Sequence, residues 1–256
     1  TNLFRDAKIM LAKVLDEKLL TAKAVFGIFA ANTVNDDDIE IYADVERNKV
    51  NVKFVTLRQQ AKKKEGIPNI ALADFVAPHL DAQGKPTQLK DYVGVFAVTA
   101  GIGVEKREQA FEAAHDDYSA IMLKALADRF AEAFAECMHE RVRKDLWGYA
   151  AHEKAGLEEL IAEKYQGIRP APGYPACPDH SVKKQMFELL QCNEIGMSLT
   201  SSLAMTPAAS VSGFYLCHPD SQYFNVGKVG EDQVQDLAKR QNLKVADIQR
   251  LLAPNL

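Results

Sequence analysis

The chain has 256 residues, of which 47% are hydrophobic and 26% are charged, and this composition excludes a disordered chain, a collagen and a coiled-coil rod. Thirty-one basic and 35 acidic side chains leave a net charge of −4, so the overall charge favours neither nucleic acid nor an anionic membrane as a partner. No run of 18 or more apolar residues predicts a membrane span. The length fits one large domain or two small ones.

The cysteine pattern favours free thiols in a reducing, cytoplasmic setting. The four cysteines are Cys137, Cys177, Cys192 and Cys217. No two of them form a C-x-x-C pair, and their separations fit no common zinc module. Cys177, Asp179 and His180 stand too close together for a zinc site and lack an evident fourth ligand, so the sequence predicts no metal centre.

The first half of the chain predicts a helix followed by strands. Amphipathic spacing predicts a helix over residues 2–18, and short apolar or alternating runs predict strands over 24–30, 36–42 and 50–55. Short connections between these strands favour antiparallel pairing. Residues 57–64 are expected to form a short helix that ends in three lysines.

The middle of the chain predicts a strong strand over residues 91–99 and the longest helix over 115–149. Large apolar residues recur every four positions along this helix, at Met122, Leu126, Phe130, Phe134, Met138, Val142 and Leu146. Such a stripe drifts slowly around a helix of 3.6 residues per turn, so we expect it to cover a curved surface.

Residues 167–178 predict a rigid loop. Pro170, Pro172, Pro175 and Pro178 fall within it, and proline fixes φ and lacks a backbone donor. A helix over 182–191 and a strand over 211–217 follow. A turn at 218–221 then leads to a predicted hairpin partner over 223–226, and helices over 231–241 and 245–252 come last. The pattern predicts an α+β domain with an antiparallel sheet.

The rigid loop also carries a resemblance to a known family. Residues 169–180 read RPAPGYPACPDH, which is similar to the signature loop of the activation domain of cobalamin-dependent methionine synthase. Further similar stretches lie, in the same order, at 37–42, 57–60, 72–78, 91–98, 116–118, 124–136, 139–141, 218–221 and 252–255. The resemblance therefore covers essentially the whole chain.

The resemblance implies a fold and a function. The fold is a single C-shaped α/β domain over residues 1–256, with a twisted antiparallel sheet and surrounding helices. The domain binds S-adenosylmethionine and presents it to the cobalamin-binding domain of the same enzyme. An electron from flavodoxin or a flavoprotein reductase, together with the methyl group, then restores methylcobalamin from inactive cob(II)alamin. The chain would thus be one part of a methyltransferase, and it is not expected to turn over alone.

The resemblance also implies the binding residues. Arg169 matches a family arginine on the ligand, and a guanidinium fork suits a carboxylate. Tyr174, with the backbone near Ala171 and Ala176, matches the cradle of the ligand. Tyr223 matches a ligand-binding tyrosine, and Phe224 stands where relatives can carry a second one. Glu132 matches an acid that faces the site.

Glu132 has a plainer interpretation from the residues alone. It forms a like-charged column with Asp128 and Glu136 at a spacing of four, which is typical of a solvated helix face. The resemblance favours instead a carboxylate that faces a cation, which matters most where the dielectric is low.

One family feature has no counterpart here. Relatives carry a ligand-binding aspartate in an upstream Trp-Thr-x-Phe-Phe stretch, whereas the single tryptophan of this chain is Trp147. Two interpretations are open: the chain is a fragment of a longer protein, or it is a shortened form with weakened binding. A regulatory protein that has lost the ligand, and an independent methyltransferase, are the other functional hypotheses.

Overall fold

The centre of the protein is an antiparallel sheet of five strands. A computed structural model describes residues 2–256. The strands of the sheet are β1 (Thr21–Val34), β2 (Asp38–Tyr42), β3 (Val50–Val55), β4 (Asp91–Ile102) and β7 (Ser210–Tyr215), in the spatial order β3-β2-β1-β4-β7. Two further strands, β5 (Ser198–Leu199) and β6 (Met205–Thr206), form a separate small pair. The predicted antiparallel sheet is confirmed.

The long strands β1 and β4 set the register at the middle of the sheet. Phe26 lies opposite Phe96, and on the other side of β1 Ala31 lies opposite Ile41. Successive residues of β4 point to opposite faces, so Val95 enters the main core while Phe96 enters a second core. Both faces of β4 are therefore covered, which explains its continuous apolar sequence.

Seven α-helices surround the sheet in the described part of the chain, and none of them is long and apolar enough to cross a bilayer. They are α1 (Asn2–Asp16), α2 (Val104–Ala113), α3 (Asp117–Arg141), α4 (Leu157–Ile161), α5 (Val182–Leu189), α6 (Glu231–Gln241) and α7 (Val245–Leu251). Helix α3 packs on the face of β4 that carries Phe96, whereas α5 packs on the opposite face.

The buried face of α3 contains only part of the predicted stripe, because Met122 and Met138 are buried whereas Phe130 and Phe134 are half-buried. Ala127, Ala131 and Ala135 are buried, whereas Leu146 at the end of the predicted stripe is 44% exposed. Small side chains let the helix lie close to β4, and larger residues flank this contact. The predicted helix over 115–149 is also too long, because α3 ends at Arg141 and a π-helical turn, Val142–Leu146, follows.

Two predicted elements were wrong. Residues 57–64 form no helix, because the backbone amide of Gln59 donates to Ile70 O and its side chain donates to Asn225 O. Residues 223–226 form no strand beside β7. Instead the amide of Val226 donates to Pro175 O at 2.9 Å. This bond ties the segment to the rigid loop over residues 167–178, the proline loop. In both segments contacts with distant parts of the chain replace the expected local structure.

A buried ion pair ties the C-terminal helices to the sheet. Asp38 of β2 is fully buried, and its carboxylate lies 2.7 Å from Arg240 of α6 and 3.1 Å from Lys53 of β3. A separate apolar cluster between α6, α7 and the residues around Val55 and Val226 closes this end of the molecule. The segment before α6, which includes Tyr223, is thereby fixed in place.

Candidate functional site

A cleft of about 390 Å³ opens between the proline loop, helix α3 and the segment before α6. This volume is in the range of small-molecule sites. The lining residues are Glu132, Glu163, Arg169, Pro170, Ala171, Tyr174, Pro175, Ala176, Val211, Tyr223 and Phe224. The structure thus brings together all seven residues that the resemblance assigned to the ligand, while their role in binding stays a prediction.

The proline loop is held by backbone hydrogen bonds on both sides. The amide of Phe214 in β7 donates to Pro170 O at 2.9 Å, and the amide of Gly173 donates to Cys177 O at 2.7 Å. Gly173 has φ +96°, which favours glycine, and a Cβ there would overlap the imidazole of His180. The loop is therefore a fixed wall of the cleft.

Arg169 is the only arginine or lysine that lines the cleft in residues 2–256, and its guanidinium is already oriented by its neighbours. Nη1 donates to the hydroxyl of Tyr165 at 2.5 Å, and Nη2 lies 2.6 Å from a carboxylate oxygen of Glu136. The backbone amide of Arg169 donates to the hydroxyl of Tyr223 at 3.0 Å. Tyr223 thus connects its own segment to the first residue of the signature loop.

Behind Arg169 lies His139, whose ring is completely buried. Burial, together with the positive charges of Arg143 and Arg169, lowers the pKa of His139 to about 2, so the ring is neutral at physiological pH. Nδ1 lies 3.4 Å from Nη1 of Arg169, and Nε2 lies 3.4 Å from the hydroxyl of Tyr149. Because a guanidinium only donates, Nδ1 accepts and Nε2 carries the hydrogen.

The acidic column of α3 does not form one solvated face. Glu136 pairs with Arg169, Glu132 lines the cleft, and Asp128 lines a different cavity, beside Lys124 and Pro207. A second carboxylate, that of Glu163, also lines the cleft. The cleft therefore presents two carboxylates and one guanidinium.

Aromatic and proline side chains form the rest of the wall. Tyr174 is 60% exposed and Tyr223 is 41% exposed, so both rings can reach a ligand. Phe224 is half-buried and joins the main core, where its ring centroid lies 6.5 Å from that of Phe75. A phenylalanine keeps the apolar wall at this position but supplies no hydroxyl.

Sequence reasoning missed several residues at this site. Glu163 falls in a polar segment without a motif, and Tyr165 follows it two positions later. His139 falls in one of the stretches that are similar to the family, residues 139–141, and its place on the buried face of α3 is the signal that could have identified it. The rejected zinc ligands have structural surroundings instead. Asp179 accepts hydrogen bonds from Ser181 and Gln241. Cys177 is buried, and this burial raises the pKa of its thiol to about 12.

The charges of the cleft fit a ligand that carries a carboxylate and one or two cations. A guanidinium binds a carboxylate with charge-assisted hydrogen bonds, and carboxylates stabilise an ammonium or sulfonium group. The remaining surface is mostly apolar, as in small-molecule sites that use a few polar groups to orient the ligand.

Two comparisons with known proteins identify the family to which the chain belongs. The family model described as vitamin B12-dependent methionine synthase, activation domain, matches residues 1–242. A solved structure, "Crystal Structure of the MetH Reactivation Domain bound to AdoHcy", is 54% identical, with a TM-score of 0.92 over the whole of this chain and 76% of that chain. The resemblance drawn from the RPAPGYPACPDH loop is thus confirmed, and with it the mixed α/β fold. The chain belongs to the family of activation domains of vitamin B12-dependent methionine synthase.

Proposed function

We propose that the cleft binds S-adenosylmethionine, with the methionyl carboxylate on Arg169 and the cationic groups facing Glu132 and Glu163. The charge pattern of the cleft carries this proposal. S-adenosylmethionine has one carboxylate, one ammonium and one sulfonium, and the cleft offers one guanidinium and two carboxylates. The solved relative supports it, because that MetH reactivation domain is bound to AdoHcy, S-adenosylhomocysteine, which differs from S-adenosylmethionine by the methyl group on sulfur.

The proposed role of the domain is to present this ligand to a cobalamin-binding domain of the same enzyme. One electron from flavodoxin or a flavoprotein reductase, together with the methyl group of the bound ligand, would restore methylcobalamin from inactive cob(II)alamin and leave S-adenosylhomocysteine in the cleft. Residues 1–256 act in this proposal as a single ligand-holding domain. The residues of the cleft bind and orient the ligand, and they perform no bond-breaking step themselves.

An isothermal titration of the chain with S-adenosylmethionine and with S-adenosylhomocysteine tests the proposal. Arg169→Ala should lower the affinity for both ligands by roughly tenfold to a hundredfold, because charge-assisted hydrogen bonds to the carboxylate are lost. Arg250→Ala is the control, since that side chain is 79% exposed and pairs only with Asp247 in the described residues. Glu132→Gln or Glu163→Gln should lower the affinity for S-adenosylmethionine more than that for S-adenosylhomocysteine, because only S-adenosylmethionine carries the sulfonium charge.

Two results would overturn the proposal. One is a folded chain, verified by circular dichroism, that binds neither ligand, and this result would favour a regulatory protein that has lost the site. The other is an Arg169→Ala variant that binds both ligands as the unaltered chain does. The guanidinium and the two carboxylates that line the cleft argue against the first result.

A further inference from the structure

A cluster of side chains lies behind Arg169 and does not line the cleft. Its members are His139, Arg143, Tyr149, Glu153 and Tyr165. They come from α3, from the π-helical turn and from the chain that leads to the proline loop. The binding of a ligand in the cleft uses none of them directly, so their contacts need another explanation.

Tyr165 is the residue that joins the two arginines of this region. Its hydroxyl accepts from Nη1 of Arg169 at 2.5 Å, while its ring lies under the guanidinium of Arg143, with 3.7 Å from Cζ to the ring centroid. The ring also meets His139 edge to face at a centroid distance of 5.2 Å. Three contacts in three directions leave the phenol little freedom.

Arg143 is a rigid base for this contact. Its side chain has no exposed surface, and Nε and Nη2 donate to the two carboxylate oxygens of Glu153 at 2.7 and 2.8 Å. A bidentate pair fixes the plane of the guanidinium. The position of Tyr165 is therefore set from the interior of the protein and not from the cleft.

The hydrogen bonds of Arg169 show which of its guanidinium nitrogens can still bind a ligand. Nη1 faces the hydroxyl of Tyr165 and the neutral ring of His139, so this nitrogen already has two acceptors within the protein. Within residues 2–256, Nε donates no hydrogen bond, and Nη2 has only the ion pair with Glu136. An Nε and Nη2 edge is the side of an arginine that can bind a carboxylate with two parallel hydrogen bonds.

We propose that Tyr165 is a positioning residue: it fixes the guanidinium of Arg169 through Nη1 so that the Nε and Nη2 edge is preorganised for the carboxylate of the ligand. This inference rests on the function proposed above. It assigns to a residue outside the cleft a share of the affinity for the amino-acid part of the ligand. The affinity for the nucleoside part does not depend on Tyr165.

Two thioether ligands separate these parts in a titration experiment. S-adenosylhomocysteine carries the amino-acid group, whereas 5′-methylthioadenosine lacks it. Tyr165→Phe should lower the affinity for S-adenosylhomocysteine by roughly threefold to tenfold, which is the loss expected for one hydrogen bond. The affinity for methylthioadenosine should not change. Tyr149→Phe is the matched control, because its hydroxyl contacts His139 but not Arg169, and it should change neither affinity.

A double variant provides the sharpest test. Once Arg169→Ala has removed the guanidinium, Tyr165→Phe should cause no further loss of S-adenosylhomocysteine affinity. Equal losses for both ligands, or full additivity with Arg169→Ala, would overturn the positioning role and leave the proposed function intact. Failure of the unaltered chain to bind S-adenosylhomocysteine would overturn the proposed function itself.

A measurement on the unaltered chain covers the case in which Tyr165→Phe does not fold. The side-chain nitrogen resonances of Arg169 can be assigned by their disappearance in Arg169→Lys. Without ligand, they should already show hindered rotation of the guanidinium. Free rotation before ligand addition would overturn the inference.

Discussion

At the scale of single residues, Gly173 controls the shape of the proposed binding loop. Its φ of +96° lies in the left-handed region, and the space where a Cβ would stand is occupied by His180. Gly66 offers a matched comparison, because it has φ +83° but no atom within 4 Å of a Cβ at that position. The two glycines share the conformational requirement and differ in the space around them.

Gly66→Ala should lower the free energy of unfolding by about 1 kcal/mol, the cost of a left-handed alanine. Gly173→Ala should lower it by about 2–4 kcal/mol, because the loop or the imidazole must also shift. Gly173→Ala should in addition lower the affinity for S-adenosylhomocysteine. Urea denaturation and ligand titration measure both effects. Equal losses of stability in the two variants would show that the overlap with His180 is relieved without cost.

Residue types alone could predict part of this site. An arginine, a tyrosine and several prolines within residues 169–175 indicate a rigid loop that recognises an anion, and the family resemblance assigned Glu132 and Tyr223 as well. Tyr165 and Glu163 could not be predicted, because neither stands in a motif. Their importance comes from the fold, which places one behind Arg169 and the other across the cleft.

At the scale of elements, the contact between β2 and α6 holds the C-terminal helices on the sheet. Asp38 is buried between two cations, whereas Asp236, the second partner of Arg240, has a side chain that is 57% exposed. The two carboxylates therefore differ strongly in their surroundings although both lie 2.7 Å from the same guanidinium.

Asp38→Asn should lower the free energy of unfolding by about 3 kcal/mol, because it leaves two cations beside a buried neutral group. Asp236→Asn should cost less than about 1 kcal/mol, since exposed pairs contribute little. Thermal and urea denaturation of both variants measure these losses. A loss for Asp236→Asn as large as that for Asp38→Asn would contradict the importance of burial.

Most of the regular elements could be predicted from hydrophobic periodicity, and the failures share a cause. The wrong helix at 57–64 and the wrong strand at 223–226 both lie in segments whose backbone bonds with residues far away in the sequence. Periodicity reports local structure and contains no information on such contacts. The predicted stripe of α3 leaves out the buried Ala127 and Ala131 for a related reason, since a small residue becomes a core residue only when another element approaches closely.

At the scale of the whole molecule, the buried histidine links stability to pH. The groups that face His139 are Arg143, Arg169, Tyr165, Tyr149 and Tyr215, and of these only the two arginines are charged at neutral pH. The unfolded chain takes up a proton on this histidine below pH about 6.5, whereas the folded chain does so only near pH about 2. Stability from this group is complete above pH 6.5 and falls as the pH is lowered.

Because of His139, the free energy of unfolding should be about 2 kcal/mol lower at pH 5 than at pH 7.5. His139→Gln, which keeps an acceptor but cannot be protonated, should remove that part of the pH dependence. Substitution of the exposed His152 by glutamine should leave the pH dependence unchanged. Urea denaturation at several pH values gives the comparison. An unaltered slope in His139→Gln would show that other groups cause the acid sensitivity.

The backbone bond between Val226 and Pro175 has a consequence for synthesis on the ribosome. The proline loop emerges about 50 residues before the segment that closes the cleft, and that segment is held by α6 and α7, which emerge later still. Domains generally fold as units during translation. A nascent chain that has passed Cys177 but not Leu251 therefore lacks either the segment opposite the loop or the helices that hold this segment. The ability to hold a ligand arises only in the final stage of translation of these residues.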